Sequence, residues 1–367
     1  MLSHNDKLRR LLLIFLCALA FGARFAAPAI GVVPYSVHWK RVDSRWKRGE
    51  GYVPDEPPGW KGKISQSDIT KIRKAGASIN KFAFELYPLM AADAGGNVLF
   101  SPYNLAMTLI EEYKEANKKT RRELKKALFL YSGALDDFTL LAGIIQETPE
   151  DRGDFRSDSA KTYFKSDWEF PFYNYEEWYK LGAAYKFRKP SGKTEPLKVM
   201  EQSQRLKYYE DDRVKSFEFP FVDRYYSYII ILPKDGWDER RIRETLTYKK
   251  YLSLLSKQKD KNLFVSIVDT KITSRYDFSG WLNSLGIKGV KEDKLKQENI
   301  IDIYGGEQSR AVMTRWSTRF FYGPMSREEL KKLYPFNVDY NFSPTSPFVY
   351  FIVDNRSGAI LLILKVV

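Results

Sequence analysis

The sequence has almost none of the residues that carry thiol, metal or acid–base chemistry. It contains one cysteine and two histidines among 367 residues. Cys17 and His4 lie close to the amino terminus, which leaves His38 as the single histidine of the remaining chain. A disulfide needs two cysteines and a zinc site needs several cysteine or histidine ligands, and Cys17, the single thiol, lies in a segment that is predicted below to be removed as a signal peptide. No G-x-S-x-G motif accompanies His38. We therefore predict that the protein is not an enzyme and holds no metal or cofactor.

The sequence also lacks a hydrophobic run long enough to cross a membrane. Leu11–Ala20 is an apolar run that follows three basic residues. A membrane-spanning helix needs about 20 apolar residues, whereas the core of a signal peptide needs roughly 7 to 15. Small residues suited to cleavage follow, either Ala18 with Ala20 or Ala20 with Gly22. We predict a signal peptide in residues 1–20 and a secreted, extracellular protein without a transmembrane segment.

The charge is strongly positive, with a formal value of +14. Loss of the predicted signal peptide removes three basic residues and one acidic residue and leaves +12. Such a balance favours acidic partners, namely glycosaminoglycans or anionic membrane surfaces, while nucleic acid is not expected outside the cell. Hydrophobic residues make up 44% of the chain and aromatic residues 15%. That composition indicates a folded protein with a substantial core.

Basic residues recur three or four apart in one region and predict a polyanion-binding face on a helix. Three glutamates, at 111, 115 and 123, are interleaved with them. The alternative is therefore a solvated surface laced with ion pairs. The candidate residues are Lys114, Lys118, Arg121, Arg122 and Lys125.

The amino-terminal half of the chain reads as helical after a long irregular extension. Residues 21–68 mix proline, tryptophan and basic residues without a helical or strand period. Apolar residues then recur at helical spacing from Ile69. Ser101 before Pro102 predicts the start of a further helix. Thr120 with Glu123 predicts a capping box that opens another.

The carboxy-terminal half is richer in predicted strands. Residues 224–232 and 263–268 have strand character, and residues 241–255 read as one amphipathic helix. Residues 348–353 and 359–367 are near-continuous apolar strands joined by a turn at 354–358. Strands that are apolar on both faces belong in the middle of a covered sheet. We predict an α+β fold with a helical amino-terminal half and a β-rich carboxy-terminal half.

Six segments, in this order, resemble motifs of the serpin family. They are N-V-x-F-S-P at 97–102, G-A-x-x-x-T-x-x-E-L at 115–124 with Glu115 in place of glycine, Y-F-K-G-x-W at 163–168, I-L-P at 231–233, L-G-I at 285–287 and P-F-x-F-x-I-x-D-x-x-T-G-x-I at 347–360. The resemblance covers residues 69–367 and implies a serpin-like domain there.

Two departures from the family pattern bear on function. Only 34 residues separate Leu128 from Tyr163, a region in which serpins place several elements, so the resemblance implies a reduced central sheet. Ala160 and Lys161 stand where the family strand begins with N-A, so we expect the sheet to lack the usual gating contacts there.

The second departure concerns the reactive loop, which inhibitory serpins insert into the central sheet after cleavage. The resemblance places the hinge of this loop at residues 322–334. Within that stretch, Glu328 is separated from Pro347 by 18 residues. Pro324 cannot donate to a sheet ladder, and unpaired charges such as Glu328 are costly to bury. Ser326 with Glu329 predicts a short helix instead.

The leading hypothesis is therefore a non-inhibitory serpin-fold protein that acts as an extracellular carrier, chaperone-like factor or other binding protein. One alternative is a serine protease inhibitor that presents basic bait residues, Arg327, Lys331 or Lys332. Another is a glycosaminoglycan-binding protein. Asn341 and Asn355 begin glycosylation sequons. Pro344 follows the first, and the second lies in the predicted turn, where we expect it to be exposed.

Overall fold

Helices occupy the first part of the described chain and strands dominate the rest. The structure is a computed structural model that describes residues 64–146, 154–158, 160–167, 173–174, 186–196, 199–221, 225–234, 238–268, 270–304, 340–342 and 345–367. All of them belong to one unit, Arg48–Val367. The α+β prediction is confirmed.

Seven helices and fifteen strands are described. The helices are α1 Gln66–Asp93, α2 Pro102–Glu115, α3 Lys118–Ala127, α4 Ala134–Gln146, α5 Glu239–Thr245, α6 Tyr248–Lys257 and α7 Ser279–Ser284. The strands are β1 Val98–Phe100, β2 Asp154–Ser157, β3 Lys161–Asp167, β4 Tyr173–Asn174, β5 Lys186–Arg188, β6 Thr194–Pro196, β7 Val199–Glu210, β8 Val214–Pro220, β9 Tyr226–Pro233, β10 Lys259–Val268, β11 Thr270–Asp277, β12 Lys296–Tyr304, β13 Tyr340–Phe342, β14 Phe348–Asp354 and β15 Ile360–Val366.

Helix α1 begins three residues before the predicted start of the domain. The Ser65 side chain accepts a hydrogen bond from the Asp68 backbone N–H at 3.1 Å, which satisfies a donor that the helix itself leaves unpaired. The predicted apolar stripe is buried, as Ile72 and Ile79 show. The boundaries at residues 20 and 68 remain predictions, because the preceding residues lie outside the described part of the chain.

The largest sheet has nine strands in the described chain. Its order is β1-β15-β14-β9-β8-β7-β10-β13, and β4 also pairs with β7. Strands β14 and β15 are buried along their whole length, and α1 and α2 pack against β15. Their predicted position in the middle of a covered sheet is confirmed. Apolar side chains on both faces hold this pair in place.

The turn between β14 and β15 is where it was predicted, but its expected exposure is wrong. Asn355 is 3% exposed, and its backbone N–H donates to the Tyr225 carbonyl. The turn folds back onto α1 and α4, because Arg356 donates to the Ile144 carbonyl at 2.9 Å. A buried asparagine in this setting is not available to a glycan. The Asn341 side chain lies outside the described residues.

A second sheet of four strands carries the region that the sequence marked as reduced. Its order is β11-β12-β3-β2, and β12 and β3 are parallel while the other pairs are antiparallel. Helix α4 precedes this sheet, and β2 and β3 follow α4 in the chain. Within the described residues, the chain after α3 forms only α4, β2 and β3 up to Asp167.

Two local predictions are wrong for identifiable reasons. Helix α3 begins at Lys118, because the Asn117 side chain accepts hydrogen bonds from two backbone N–H groups of the first turn. Thr120 is thus a buried interior residue and not a cap. The single helix predicted over 241–255 is two helices. Thr247 starts the second by accepting a hydrogen bond from the Lys250 backbone N–H.

Candidate functional site

The four-stranded sheet has one parallel seam, between β3 and β12. Their register joins seven residue pairs, from Glu298 opposite Lys161 to Tyr304 opposite Asp167. The chain leaves β12 at Tyr304 and returns to described structure at Tyr340. A strand that followed Tyr304 directly and entered this seam would run antiparallel to both neighbours. A strand added at the seam would thus form antiparallel pairs with both β3 and β12.

An ion-pair row crosses the outer face of the seam. Glu298 on β12 lies 2.6 Å from the Arg275 guanidinium on β11 and 3.3 Å from Lys161 Nζ on β3. The hydrogen bonds from Arg275 and Lys161 hold the pKa of Glu298 below its ordinary value. One carboxylate thus ties three adjacent strands together. We name these three residues the Glu298 clamp.

Polar side chains also hold the inner face of the seam. Asn299 accepts a hydrogen bond from the Ser101 backbone N–H at 3.1 Å, and Asn104 donates to the Thr162 hydroxyl at 2.6 Å. All four residues are buried. Ser101 and Asn104 stand at the start of α2, so the N-V-x-F-S-P segment fixes this contact.

The seam therefore has contacts that the sequence did not reveal. The expectation that the family's usual gating contacts are missing at Ala160 and Lys161 stays a prediction, while Lys161 takes part in a different contact, the clamp. The pairing of Lys161 with Glu298 depends on strand register, and no local sequence signal predicts that register.

The position of β12 bears on where a hinge can lie. A hinge must be continuous with the strand beside which it inserts, and the described part of β12 runs as far as Tyr304. The residues next in the chain begin at Gly305, whereas the sequence placed the hinge at 322–334. The interval from β12 to β13 contains 35 residues, 305–339, compared with the 18 residues that separate Glu328 from Pro347. The bait candidates Arg327, Lys331 and Lys332 lie outside the described residues.

The residues after Tyr304 are unsuited to alternate burial. Over 305–316, the odd-numbered set includes Glu307 and Arg315, and the even-numbered set includes Arg310. Inward side chains of the seam are buried, as Ile301 and Phe164 show. If this whole stretch were inserted as a strand, either the odd-numbered or the even-numbered side chains would face the buried side of the sheet. In both cases at least one charged side chain would be buried, and burial of a charge without a partner is strongly unfavourable.

The polyanion candidates come together around α3. Lys114, at the end of α2, and the α3 residues Lys118, Arg121, Arg122 and Lys125 are all exposed. The interleaved glutamates neutralise few of them. Glu111 pairs with Lys114 at 2.7 Å, while Glu123 accepts a hydrogen bond from the Lys288 backbone N–H.

A loop after α7 packs against α3 and brings further basic residues to it. A Cβ atom on Gly289 would lie 1.9 Å from the Thr120 hydroxyl oxygen, so only glycine permits this approach. Lys288 and Lys291 flank that glycine and are exposed. The basic surface is therefore assembled from two segments, and the sequence pattern found only the first of them.

The described residues contain no cluster of three or more histidine, cysteine or acidic side chains arranged for a metal ion. Among the same residues, no helix is both long and apolar enough to cross a membrane. Neither observation bears on the residues outside the described ranges.

Residues 77–154 and 160–321 match the family model described as serpin, a serine protease inhibitor. The chain belongs to the serpin family. That description is of an inhibitor of proteases and not of an enzyme. It makes serine proteases the characteristic partners of the family, while the absence of catalysis in this chain remains a prediction.

Relatives of this serpin are distant. An uncharacterized serpin-like protein of Thermococcus kodakarensis is 22% identical, with 77% of this chain and 83% of that protein covered. Serpin H1 of Mus musculus is 24% identical over 56% of this chain, and the match spans about half, 49%, of that protein.

Among solved structures, mouse protein-Z dependent protease inhibitor has a TM-score of 0.63 at 13% identity, with 83% of this chain and 99% of that chain covered. At that identity the likeness shows the fold alone. The serpin-like fold prediction is confirmed.

Proposed function

We propose that this serpin is a secreted binding protein, a carrier or chaperone-like factor, that does not trap proteases by loop insertion. The observation that supports the proposal is the buried inner face of the β3–β12 seam, considered together with the charged residues in both alternate sets of the sequence that follows the described part of β12. Secretion is inferred from residues 1–20.

Insertion would have to break existing contacts before new ones form. It would separate the seven β3–β12 pairs and the Lys161–Glu298 ion pair. It would then bury Glu307 or Arg310 on the inner face of the sheet. An uncompensated buried charge costs about 3 to 5 kcal/mol where one partner of a buried pair has been removed, which opposes the gain from strand addition.

The test is a mixture with excess trypsin, resolved on a denaturing gel. We expect cleavage within 305–339 and no protease adduct that survives denaturation. A matched variant, Glu307→Ala with Arg310→Ala, removes the first charge of each alternate set. A stable adduct formed by the unaltered chain would refute the proposal.

The alternative of a protease inhibitor with basic bait leads to a different outcome in the same mixture. Arg327, Lys331 or Lys332 would occupy the protease in the manner of a substrate. Reversible inhibition of trypsin, lost on replacing all three with alanine, would support this alternative. Loss of the intact chain without slowing of trypsin would exclude it.

The basic surface around α3 supports polyanion binding as a second candidate function. Lys118, Arg122 and Lys125 are exposed and make no ion pair among the described residues. Unpaired cations on one surface attract sulfated polysaccharides through charge, and salt screens that attraction steeply.

Retention on heparin tests this second candidate. We expect the unaltered chain to elute above about 0.2 M salt. Changing Lys118, Arg122 and Lys125 to serine should bring elution below that value. The control changes three exposed lysines of α6 to serine, Lys249, Lys250 and Lys257, and should not. Equal shifts in both variants would show that retention reflects net charge alone.

A further inference from the structure

Phe129, just beyond α3, stands in a backbone position that normally belongs to glycine. Its φ is 54°, in the left-handed region that costs energy for any residue with a side chain. The Leu130 N–H donates back to the Lys125 carbonyl at 3.0 Å, and the Phe129 N–H donates to the Lys126 carbonyl. This is a helix-ending turn whose left-handed residue is usually glycine, sometimes asparagine.

Phe129 is also exposed, at 39%, and is the single exposed large hydrophobic residue among those the structure describes. Its carbonyl accepts a hydrogen bond from the Ser78 hydroxyl at 3.3 Å, which anchors the turn on α1. An exposed hydrophobic residue alone calls for no explanation. An exposed hydrophobic residue in a strained backbone position does call for an explanation. Glycine would form the same turn without the backbone strain and without an exposed apolar side chain.

Cations surround the exposed ring. Lys81 Nζ lies 5.7 Å from the centroid of the Phe129 ring. Two residues along, Lys74 Nζ lies 3.8 Å from the Tyr131 ring centroid. Lys125 and Lys126 at the end of α3 are exposed beside the turn. The turn therefore presents one apolar side chain ringed by positive charge.

Acidic groups near the turn do not cancel this charge. The Asp137 carboxylate accepts a hydrogen bond from the Tyr131 hydroxyl at 2.8 Å and is buried. Asp136 and Glu85 are exposed, but neither forms an ion pair with Lys81 or Lys74 among the described residues. Four exposed lysines thus face two exposed carboxylates.

We propose that this turn docks on an anionic membrane surface, with Phe129 entering the headgroup boundary and the surrounding lysines facing acidic headgroups. A partly exposed aromatic side chain combined with a basic surface suits reversible interfacial binding, where apolar contact and charge act together. A sulfated polysaccharide offers the charge without an apolar layer. The inference does not depend on whether the loop inserts. The membrane-facing surface and the proposed polyanion-binding surface have one named basic residue in common, Lys125 of α3.

The experiment is co-flotation of the full chain with vesicles of phosphatidylcholine, with or without phosphatidylserine. We expect binding to the mixed vesicles only. Phe129→Gly should weaken that binding roughly tenfold, the change that corresponds to losing part of one buried phenylalanine side chain. Phe129→Trp should retain it. The melting temperature of Phe129→Gly should not fall, because glycine fits the turn.

The heparin column separates the two proposals. Phe129→Gly should elute from heparin with the unaltered chain, since it keeps every cation. Equal vesicle binding by Phe129→Gly and the unaltered chain would overturn the inference. So would a melting temperature lowered by Phe129→Gly, which would make the residue structural, or a dimer in solution that this variant dissolves.

Discussion

The β14–β15 hairpin and the β3–β12 seam are strand pairs from two different sheets of one serpin domain, and they are held by different forces. The hairpin is antiparallel and buried throughout, with apolar side chains on both faces. The seam is parallel, and its outer face is joined by the Glu298 clamp. Buried apolar contacts persist as long as the protein is folded. Exposed ion pairs are weakened by competing water and by salt.

The hairpin also contains a charge pair, and its setting shows what burial changes. Arg356 lies 2.7 Å from Asp354, and both side chains are almost fully excluded from solvent. The clamp residues are partly exposed, with Arg275 at 80%. A buried pair cannot lose one member without leaving the other charged and desolvated. The comparison therefore predicts large effects at the hairpin and small ones at the seam.

The largest effect is expected from Arg356→Ala. It leaves Asp354 charged in the interior and removes the hydrogen bond to the Ile144 carbonyl. We expect the free energy of unfolding to fall by about 3 to 5 kcal/mol, measured by denaturant titration. The control is Arg240→Ala, which breaks an exposed pair with Glu244 and should lower the free energy of unfolding far less, because solvent screens that pair. Equal losses would contradict the comparison.

A smaller effect is expected where α1 meets the hairpin turn. A Cβ atom on Gly76 would lie 2.7 Å from the Ser357 carbonyl oxygen, and backbone atoms cannot move aside cheaply. We expect Gly76→Ala to destabilise the fold by about 1 to 3 kcal/mol. Gly143→Ala in α4 meets nothing within 4 Å and should stabilise it by about 0.5 to 1 kcal/mol. The melting temperatures of both variants, compared with that of the unaltered chain, test whether the first is destabilised and the second stabilised.

The smallest global effect is expected from Glu298→Gln, which removes the charge of the clamp. Exposed ion pairs contribute little to stability because water and salt screen them, so the free energy of unfolding should change little. Hydrogen exchange of β12 amides should nevertheless quicken, because the seam opens more easily. Unchanged exchange would show that the clamp does not hold the seam.

Acid should have the same effect on the clamp as this substitution. Folding lowers the pKa of Glu298, so the clamp is fully present above the ordinary glutamate pKa of about 4.3 and is lost as the pH falls through the lower folded value. Exchange of β12 amides should therefore rise relative to the hairpin at acid pH in the unaltered chain. In Glu298→Gln this additional rise should be absent.

The sequence predicts the elements whose signals are local. Apolar runs marked β14 and β15, and Ser101 with Pro102 marked the start of α2, because burial and capping leave a trace in consecutive residues. The Glu298 clamp left none, since it joins residues 137 positions apart along the chain through strand register. The predicted exposure of Asn355 was wrong for a related reason. A polar turn is typical of an exposed segment, and the sequence does not show that helices cover this one.

The hinge shows the same limit. Residue types at 322–334 looked unsuited to insertion, but a hinge has to continue the strand beside which it inserts, and the described part of β12 runs as far as Tyr304. The functional conclusion is unchanged, because residues 305–316 also carry charges in both alternate sets. The reason for it is now different.

The most direct test of the central claim is the melting temperature before and after proteolytic cleavage within 305–339. Insertion of a cleaved loop adds a strand to the seam and would raise the melting temperature sharply. We expect it to stay the same or to fall slightly in the unaltered chain. A large rise after cleavage would show that this serpin inserts its loop, and would contradict the proposal.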